Sequence, residues 1–327
     1  MAEMRMIEAV RAAISEEMER DERVLVLGED VGRKGGVFGA TDGLYAKFGE
    51  ARVLDTPLAE SGIVGIAIGA ALNGLLPIAE IQFADFIHPA FDQIVSEAAR
   101  TRYRSNGDWS VPMVIRAPFG GGVHGGLYHS QSIEAFYAHV PGLKVVVPST
   151  PSDAHGLLKS AVRDPDPVLF LEHKKVYRLV TEVVPDGDHL LPIGPAVVRR
   201  GGTRISCFAW GLMTHFCLQA AADVEAEGIS VEVVDLRTLA PLDRDAILTS
   251  VRKTGKAMVV HEDNLTGGFG AEVAATIAQH AFDSLDGPVV RVAAPDIPAM
   301  PFNGPQEEFF MPSPEKIAAA MRSLAAY

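Results

Sequence analysis

Residues 55–83 read DTPLAESGIVGIAIGAALNGLLPIAEIQF and place a predicted helix directly before an apolar strand. The helix begins with a single acid, Glu60, which is favoured there because the free N–H groups of a first helical turn carry partial positive charge. An apolar run follows that contains three glycines, Gly62, Gly65 and Gly69. Each glycine costs a helix about 1 kcal/mol relative to alanine, so three of them indicate close packing of another backbone.

The same alternation of helix and strand continues along the chain on both sides of this segment. Continuous apolar strands separated by helices indicate a parallel sheet that is covered on both faces. Between Tyr177 and Gly194 the pattern is interrupted by RLVTEVVPDGDHLLPI, which is typical of a linker. We therefore predict an α/β protein of two doubly wound domains, with a first domain at 1–180, a linker at 181–196 and a second domain at 197–327.

Composition narrows the classes of function. The 327 residues include 29 basic and 42 acidic side chains, and the formal net charge of −13 argues against binding to nucleic acid or to an anionic membrane. The apolar run after Glu60 is too short to span a bilayer, which takes about 20 residues. Cys207 and Cys217 are expected to be buried free thiols. The acidic, amphipathic start of the chain lacks the core of a signal peptide, so we expect a cytoplasmic protein made without a cleaved leader.

Candidate site residues follow the predicted strands. Ligands of open parallel sheets gather at the carboxyl ends of the strands, where Glu29, Glu60, the stretch IQFADF and the loop LYHSQS could all meet. The alternative for Glu29 is an acid in a solvated loop, and the alternative for His129 is a surface histidine without a role.

Two familiar kinds of site are disfavoured. The glycines at 120, 122 and 125 match a dinucleotide-binding pattern formally, but the loop does not continue into a helix. The histidines at 124, 129 and 139 lack the spacing of metal ligands on a helix, and no cysteine lies near them, so a zinc site is not expected.

Several stretches, in the right order and over nearly the whole chain, resemble the beta subunit of thiamine diphosphate-dependent 2-oxo acid dehydrogenases. This subunit belongs to the decarboxylating component of multienzyme complexes, and the resemblance implies a transketolase-like pyrimidine-binding domain followed by a transketolase C-terminal-like domain. The stretches are LGEDVGRKGGVF, DTPLAESGIVGIAIGAALNGLLPIAEIQFADF, DQIVSEAARTRYRSNG, GGGVHGGLYHSQS, GLKVVVPSTPSDAHGLLKSAVRDPDPVLFLEHKKVYR, VEVVDLRTLAPLD and LTGGFGAE.

The resemblance assigns roles to particular residues. Glu60 matches the glutamate that hydrogen-bonds the pyrimidine ring nitrogen of the cofactor, for which we expect a buried side chain that holds or shares a proton. His129 matches a loop histidine that protonates or orients the intermediate and helps acyl transfer to the lipoyl group. The matching cofactor-binding residues are Glu29 near the aminopyrimidine edge, and Leu58, Gln82 and Phe86 around the ring. A potassium site of some members matches Met113, Ala161, Val162, Asp164 and Asp166.

One motif of thiamine diphosphate enzymes is missing from the sequence. These enzymes hold magnesium and the diphosphate through a GDG motif, and this chain contains no GDG. In the family an alpha subunit carries that motif and binds the magnesium, and the cofactor bridges the two chains of a two-alpha, two-beta heterotetramer. The resemblance therefore implies an alpha subunit as partner and no activity for the chain alone, for which a homodimer is expected. It also implies docking of the second domain on a dihydrolipoyl acyltransferase core.

The substrate is predicted from two stretches. EIQFADFIHPAFDQIV and LYHSQSIEAFYAH are closer to branched-chain 2-oxo acid dehydrogenases, whereas DTPLAESGI also occurs in bacterial pyruvate and acetoin enzymes. The interpretation is a beta subunit for branched-chain substrates such as 2-oxoisovalerate, with a pyruvate or acetoin dehydrogenase as alternative. A noncatalytic assembly subunit, a self-contained transketolase-like enzyme and a nucleotide-binding α/β protein are the alternatives of other classes.

Overall fold

The computed structural model describes residues 2–327 and divides the chain into two compact units. The first unit extends to Phe119 and resumes over Phe136–Ile193, and the second comprises Gly120–Ala135 and Gly194–Tyr327. The segment with His129 thus packs with the second unit, although it lies inside the first in chain order. The boundaries 1–180 and 197–327 stay predictions about domains.

A parallel sheet forms the centre of the first unit. Its central strands are mostly buried and apolar, which agrees with the predicted cover on both faces, whereas in the edge strand Val53–Asp55 only Val53 is buried. The strands are β2 (Val24–Gly28), β3 (Val53–Asp55), β4 (Leu76–Glu80), β5 (Val114–Phe119), β6 (Lys144–Val146) and β7 (Val168–His173). They pair in the order β6-β7-β5-β4-β2-β3.

A small antiparallel sheet joins two places where the sequence predicted other structure. The predicted N-terminal helix is preceded by β1 (Ala2–Arg5), and the predicted linker contains β8 (Thr181–Val184). The two strands pair with each other, Ala2 opposite Val184. Neither strand has strong apolar alternation, so local pattern does not reveal a pairing between segments so distant in the chain.

Most of the α-helices up to Ile193 lie near the places that the sequence pattern predicts, but the short helix Glu134–Ala138 was not predicted. The pattern of HPAFDQIVSEAARTRYRS predicts one long helix, and this is wrong, because a π-helix occupies Gln93–Ala98. The amide of Ala99 donates to the carbonyl of Ile94 at 3.0 Å, which is the wider hydrogen-bond spacing of a π-turn. The α-helices are α1 (Met6–Arg20), α2 (Leu44–Phe48), α3 (Glu60–Leu72), α4 (Thr101–Arg104), α5 (Glu134–Ala138) and α6 (Pro151–Val162).

The second unit has its own parallel sheet with one antiparallel edge. The strands are β9 (Val197–Arg200), β10 (Ile205–Ala209), β11 (Val231–Asp235), β12 (Thr238–Ala240), β13 (Ala257–Asn264) and β14 (Val290–Ala294). Five of them pair in the order β14-β13-β10-β11-β9, and β9 is antiparallel to β11. The helices are α7 (Leu212–Glu225), α8 (Arg244–Thr254), α9 (Gly270–His280), α10 (Gly304–Phe310) and α11 (Pro314–Ala325).

Side-chain caps fix the starts of several of these helices. Asp243 accepts a hydrogen bond from the amide of Ala246 at the start of α8, and Asn303 does the same for Gln306 at α10. Cys207 and Cys217 are buried and free, as predicted. The two sheets confirm the α/β class. Within residues 2–327, no helix combines the length and the apolar character that crossing a bilayer requires.

Candidate functional site

Three strands of the first unit end level at one edge of its sheet. Gly28 at the end of β2 lies opposite both Asp55 at the end of β3 and Glu80 at the end of β4. Because the strands are parallel, the segments that follow them emerge on the same side, where open α/β sheets bind ligands. The predicted site residues that follow these ends are Glu29 after β2, Leu58 and Glu60 after β3, and Gln82 and Phe86 after β4.

Gln82 connects the segments that follow β2 and β4. Its Nε2 donates to the backbone carbonyl of Glu29 at 3.3 Å and lies 3.4 Å from Oδ2 of Asp30. Gly28 allows this close approach, since a Cβ there would lie 2.6 Å from the carbonyl oxygen of Glu80. The structure therefore brings Glu29 and Gln82 together as the sequence predicts.

Glu60 is the first residue of α3, and Ala59 before it provides no side-chain cap. Its side chain is half-exposed in this chain, so the expected burial is not provided by the residues of the chain itself. Burial and the negative charges of Asp30 and Glu60 raise the pKa of Glu29 above its ordinary value. Glu60 is thus close enough to Glu29 for its negative charge to disfavour ionisation of Glu29.

Apolar side chains lie along the same segments. Leu58 is 71% exposed, and Phe86 is half-buried with its ring centroid 5.9 Å from that of Phe83. The edge of the first sheet therefore combines carboxyl groups with apolar surface that is open to a ligand.

His129 lies in the second unit, half-buried, after a short 3₁₀ turn at Gly126–Tyr128. The loop that carries it closes where the amide of Gly120 donates to the carbonyl of Gln131 at 2.9 Å. The residues at 120–131 are called the glycine loop below.

Two buried acids that the sequence analysis missed bind the backbone of the glycine loop. Glu262 accepts from the amide of Gly121 at 2.6 Å, and Glu307 accepts from the amide of Gly122 at 2.9 Å. Glu262 lies near the end of β13, and the ends of parallel strands are where site residues are expected. Glu307 lies in a short helix 185 residues from Gly122, where no local signal marks it.

A third buried acid, Glu134, follows the glycine loop. Its Oε1 accepts from Nε1 of Trp210 at 3.0 Å, and burial together with the charges of Asp263 and Glu262 raises its pKa to about 8. The indole of Trp210 stacks on the ring of His261, whose pKa is lowered to about 4, mainly by burial. Near neutral pH, Glu134 is therefore mostly protonated and His261 is mostly neutral.

Comparison with known proteins places the chain in a family. The model for the transketolase pyrimidine binding domain matches residues 2–180, and that for the transketolase C-terminal domain matches residues 194–317. The 2-oxoisovalerate dehydrogenase subunit beta of Bacillus subtilis is 61% identical over 327 residues, which are all of both chains. The chain belongs to the family of 2-oxo acid dehydrogenase beta subunits.

Other relatives of this beta subunit carry a different substrate in their names. The pyruvate dehydrogenase E1 component subunit beta of the same organism is 51% identical over 324 residues, 99% of each chain. A 2-oxoisovalerate dehydrogenase subunit beta 2 of Arabidopsis thaliana is 50% identical and covers 99% of this chain and 90% of its own. Among solved structures, a split gene transketolase described as an inactive beta4 tetramer has a TM-score of 0.80 at 25% identity, with 99% of each chain covered.

The matched potassium residues lie together in the first unit of this beta subunit. Asp164 accepts from Nζ of Lys144 at 2.6 Å, and Asp166 accepts from Nε of Arg102 at 2.5 Å. The carbonyl of Met113 accepts from the amide of Val168 at 3.0 Å. The carboxylates are thus already paired with cationic side chains, and the potassium site stays a prediction that rests on backbone carbonyls, including those of Ala161 and Val162.

Proposed function

We propose that the chain is the beta subunit of a branched-chain 2-oxo acid dehydrogenase. With an alpha subunit it decarboxylates 2-oxo acids such as 2-oxoisovalerate on thiamine diphosphate and reductively acylates the lipoyl group of a dihydrolipoyl acyltransferase core. The observation that carries the proposal is the 61% identity to a 2-oxoisovalerate dehydrogenase subunit beta over the whole chain, against 51% to a pyruvate dehydrogenase subunit. The same subunit of a pyruvate or acetoin dehydrogenase is the second candidate.

The residues at the edge of the first sheet fit the aminopyrimidine of thiamine diphosphate. A ring nitrogen can accept a hydrogen bond from a protonated carboxyl, which Glu60 would supply, and an amino group needs an oxygen acceptor, which Glu29 would supply. The ring faces need apolar contacts, which Leu58 and Phe86 would supply. When bound, the cofactor supplies the carbon that attacks the 2-oxo group and accepts the electron pair of the broken carbon–carbon bond.

Glu60 has the decisive part in this proposal, because it governs a proton at the pyrimidine ring. Burial and the negative charges of Asp30 and Glu60 raise the pKa of Glu29, so this neighbouring acid retains a proton more readily than an isolated carboxyl group. A ring lying against Leu58 would exclude water from Glu60 and strengthen the hydrogen bond from its carboxyl to the ring nitrogen. Gln82 keeps the backbone of Glu29 in place.

The alpha subunit is the partner that the proposal requires. The chain contains no GDG motif for the diphosphate and its magnesium, so an alpha subunit would hold both in a two-alpha, two-beta heterotetramer, with potassium as a possible further ion. The name of the similar split transketolase, an inactive beta4 tetramer, supports inactivity of the chain alone. We place the complex in the cytoplasm. The presence of both Glu60 and His129 disfavours a noncatalytic assembly subunit.

Replacement of Glu60 by glutamine tests the assigned role. Glu60→Gln keeps the size of the side chain but removes the ionisable proton, so turnover of 2-oxo acid by the reconstituted complex should fall at least about a hundredfold. Assembly with the alpha subunit, measured by analytical ultracentrifugation, should not change. Glu50→Gln, a change at an exposed acid, is the matched control and should keep normal turnover. Near-normal decarboxylation by Glu60→Gln would contradict the role.

A further inference from the structure

The glycine loop has few side chains with which to fix its own shape. It contains five glycines, at 120, 121, 122, 125 and 126, and His129 lies between them and the loop's closure at Gln131. Glycine has the largest conformational entropy to lose on ordering, so such a loop is held mainly by partners outside it. In the second unit those partners are two buried carboxylates and one apolar segment.

Glu307 holds the first half of the loop, at Gly122 and His124. Its side chain is only 3% exposed, and Oε1 accepts from the amides of Gly122 at 2.9 Å and His124 at 3.2 Å. Oε2 lies 2.6 Å from Nδ1 of His124. Hydrogen bonds to a buried carboxylate are stronger than those between neutral groups, so these contacts hold the loop more firmly than water would.

Glu262 holds the base of the loop from both sides. Its Oε1 accepts from the amide of Gly121 at 2.6 Å and from Oγ of Ser132 at 3.2 Å. Gly121 begins the loop and Ser132 follows its end, so a single carboxylate oxygen connects the two strands of chain that enter and leave it. Glu262 is 3% exposed, so water competes little for these contacts.

The backbone of the loop also lies directly against the segment before α10. A Cβ on Gly121 would lie 2.1 Å from Sδ of Met300, and one on Gly126 would lie 2.8 Å from Cδ2 of Phe302. His124 has a φ of +56°, a left-handed conformation that is unfavourable for a residue with a side chain. Contacts from the surrounding residues, above all those with Glu307, therefore hold this turn in its unfavourable backbone conformation.

We propose that Glu307 and Glu262 are positioning residues for His129. Glu262 joins the two ends of the glycine loop and Glu307 fixes the turn at Gly122 and His124, so that the imidazole of His129 is presented in one orientation to the acyl-transfer step. This inference rests on the proposed function, because His129 has its role through the lipoyl group of the acyltransferase. A purely structural role for the two acids would affect every reaction of the complex equally.

The test uses the complete heterotetramer and two assays that separate the steps. Decarboxylation is followed with an artificial electron acceptor, which needs no lipoyl group, and acyl transfer is followed with an isolated lipoylated domain. Glu307→Gln should lower kcat of acyl transfer about tenfold, since weakened hydrogen bonds leave the loop less ordered, and should change dye-linked decarboxylation less than about threefold. KM for the 2-oxo acid should stay unchanged.

The neighbouring acid on the same helix provides a matched control. Glu308 is exposed, and Glu308→Gln should leave both reactions within about twofold of the wild type. Hydrogen exchange of the amides at 121–124 should be faster in Glu307→Gln than in Glu308→Gln. Hydrogen exchange needs no substrate, so it tests whether Glu307 orders the loop even if the wild-type complex does not decarboxylate. A lack of decarboxylation would contradict only the proposed function.

Specific outcomes would overturn the inference. Equal losses in both assays would show a general structural role, and faster exchange with normal acyl transfer would show that the loop's order is not what the reaction needs. If Glu307→Gln does not assemble, Glu262→Gln is measured in the same way and should show the same split between the two assays. Normal acyl transfer by an assembled Glu262→Gln complex would then overturn the inference.

Discussion

At the scale of single residues, Glu134 shows how burial changes the chemistry of a carboxyl group. Its Oε1 accepts from Trp210, while Oε2 is buried and has no hydrogen-bond partner among residues 2–327. An ionised oxygen in that position would be costly, so the folded chain keeps the group protonated near neutral pH. The charges of Asp263 and Glu262 act in the same direction.

This raised pKa predicts a pH-dependent stability. The pKa of Glu134 is about 8 in the folded chain against 4.5 as the ordinary value, so the folded state binds a proton that the unfolded state releases. The free energy of unfolding should therefore fall as pH rises from about 4.5 to about 8. Glu134→Gln removes this contribution, and its unfolding free energy relative to the wild type should rise by at least about 1 kcal/mol between pH 5 and 8.

Urea unfolding of the complete chain at several pH values measures the effect. Asp263, whose pKa is also raised, to about 6, mainly by burial, should leave some pH dependence in the variant. Glu308→Gln removes an exposed carboxyl and should give a curve parallel to that of the wild type. A parallel curve for Glu134→Gln would contradict the assignment.

The residues of the candidate site were predictable to different degrees. Glu29, Gln82 and Glu60 follow strand ends that apolar runs mark in the sequence, so their common edge could be predicted. The half-exposure of Glu60 could not, because it depends on which distant residues of the fold lie over the start of α3. Glu262 and Glu307 were missed because their loop partners lie 141 and 185 residues away, beyond any local pattern.

At the scale of elements, a buried ionic network joins three strands of the first unit. Arg116 on β5 lies between Glu172 on β7 and Glu80 on β4, with nitrogen–oxygen distances of 2.5–2.7 Å. The hydroxyl of Tyr177 donates to Glu172 at 2.6 Å. The network lies close to the strand end from which Gln82 continues, so it stabilises the edge that carries the site.

Removal of the central cation should destabilise this unit severely. Arg116→Met would leave two buried carboxylates without their partner and should lower the free energy of unfolding by about 3–5 kcal/mol. The matched control is Arg104→Met, because Arg104 pairs with Glu97 at an exposed position and its loss should cost less than about 1 kcal/mol. Urea unfolding compares the two variants, and equal losses would contradict a special part for the buried network.

The elements also show where sequence pattern succeeds and fails. Strands β2, β4, β5 and β7 lie where runs of apolar residues predict them. A strand that is buried on both faces needs apolar residues at nearly every position, so its sequence is easy to recognise. The π-helix at Gln93–Ala98 was missed because its wider turns differ little in composition from an α-helix.

At the scale of the whole molecule, no residue among 2–327 covers one face of α3. A Cβ on Gly65 or Gly69 would meet nothing within 4 Å there, and Ile66 between them is 62% exposed. The sequence predicted that another backbone packs on these glycines, and since none of the described residues does so, a partner subunit could supply it. Glu60 begins the same helix, so a subunit on this face would lie beside the candidate cofactor site.

The central claim concerns the complex rather than the single chain, and release of labelled carbon dioxide from 2-oxoisovalerate tests it most directly. The chain is measured alone, with its alpha subunit and with pyruvate as the competing substrate, in the presence of thiamine diphosphate and magnesium. Release is expected only when both subunits are present, with kcat/KM for 2-oxoisovalerate exceeding that for pyruvate. Release by the chain alone, or none by the reconstituted pair, would contradict it.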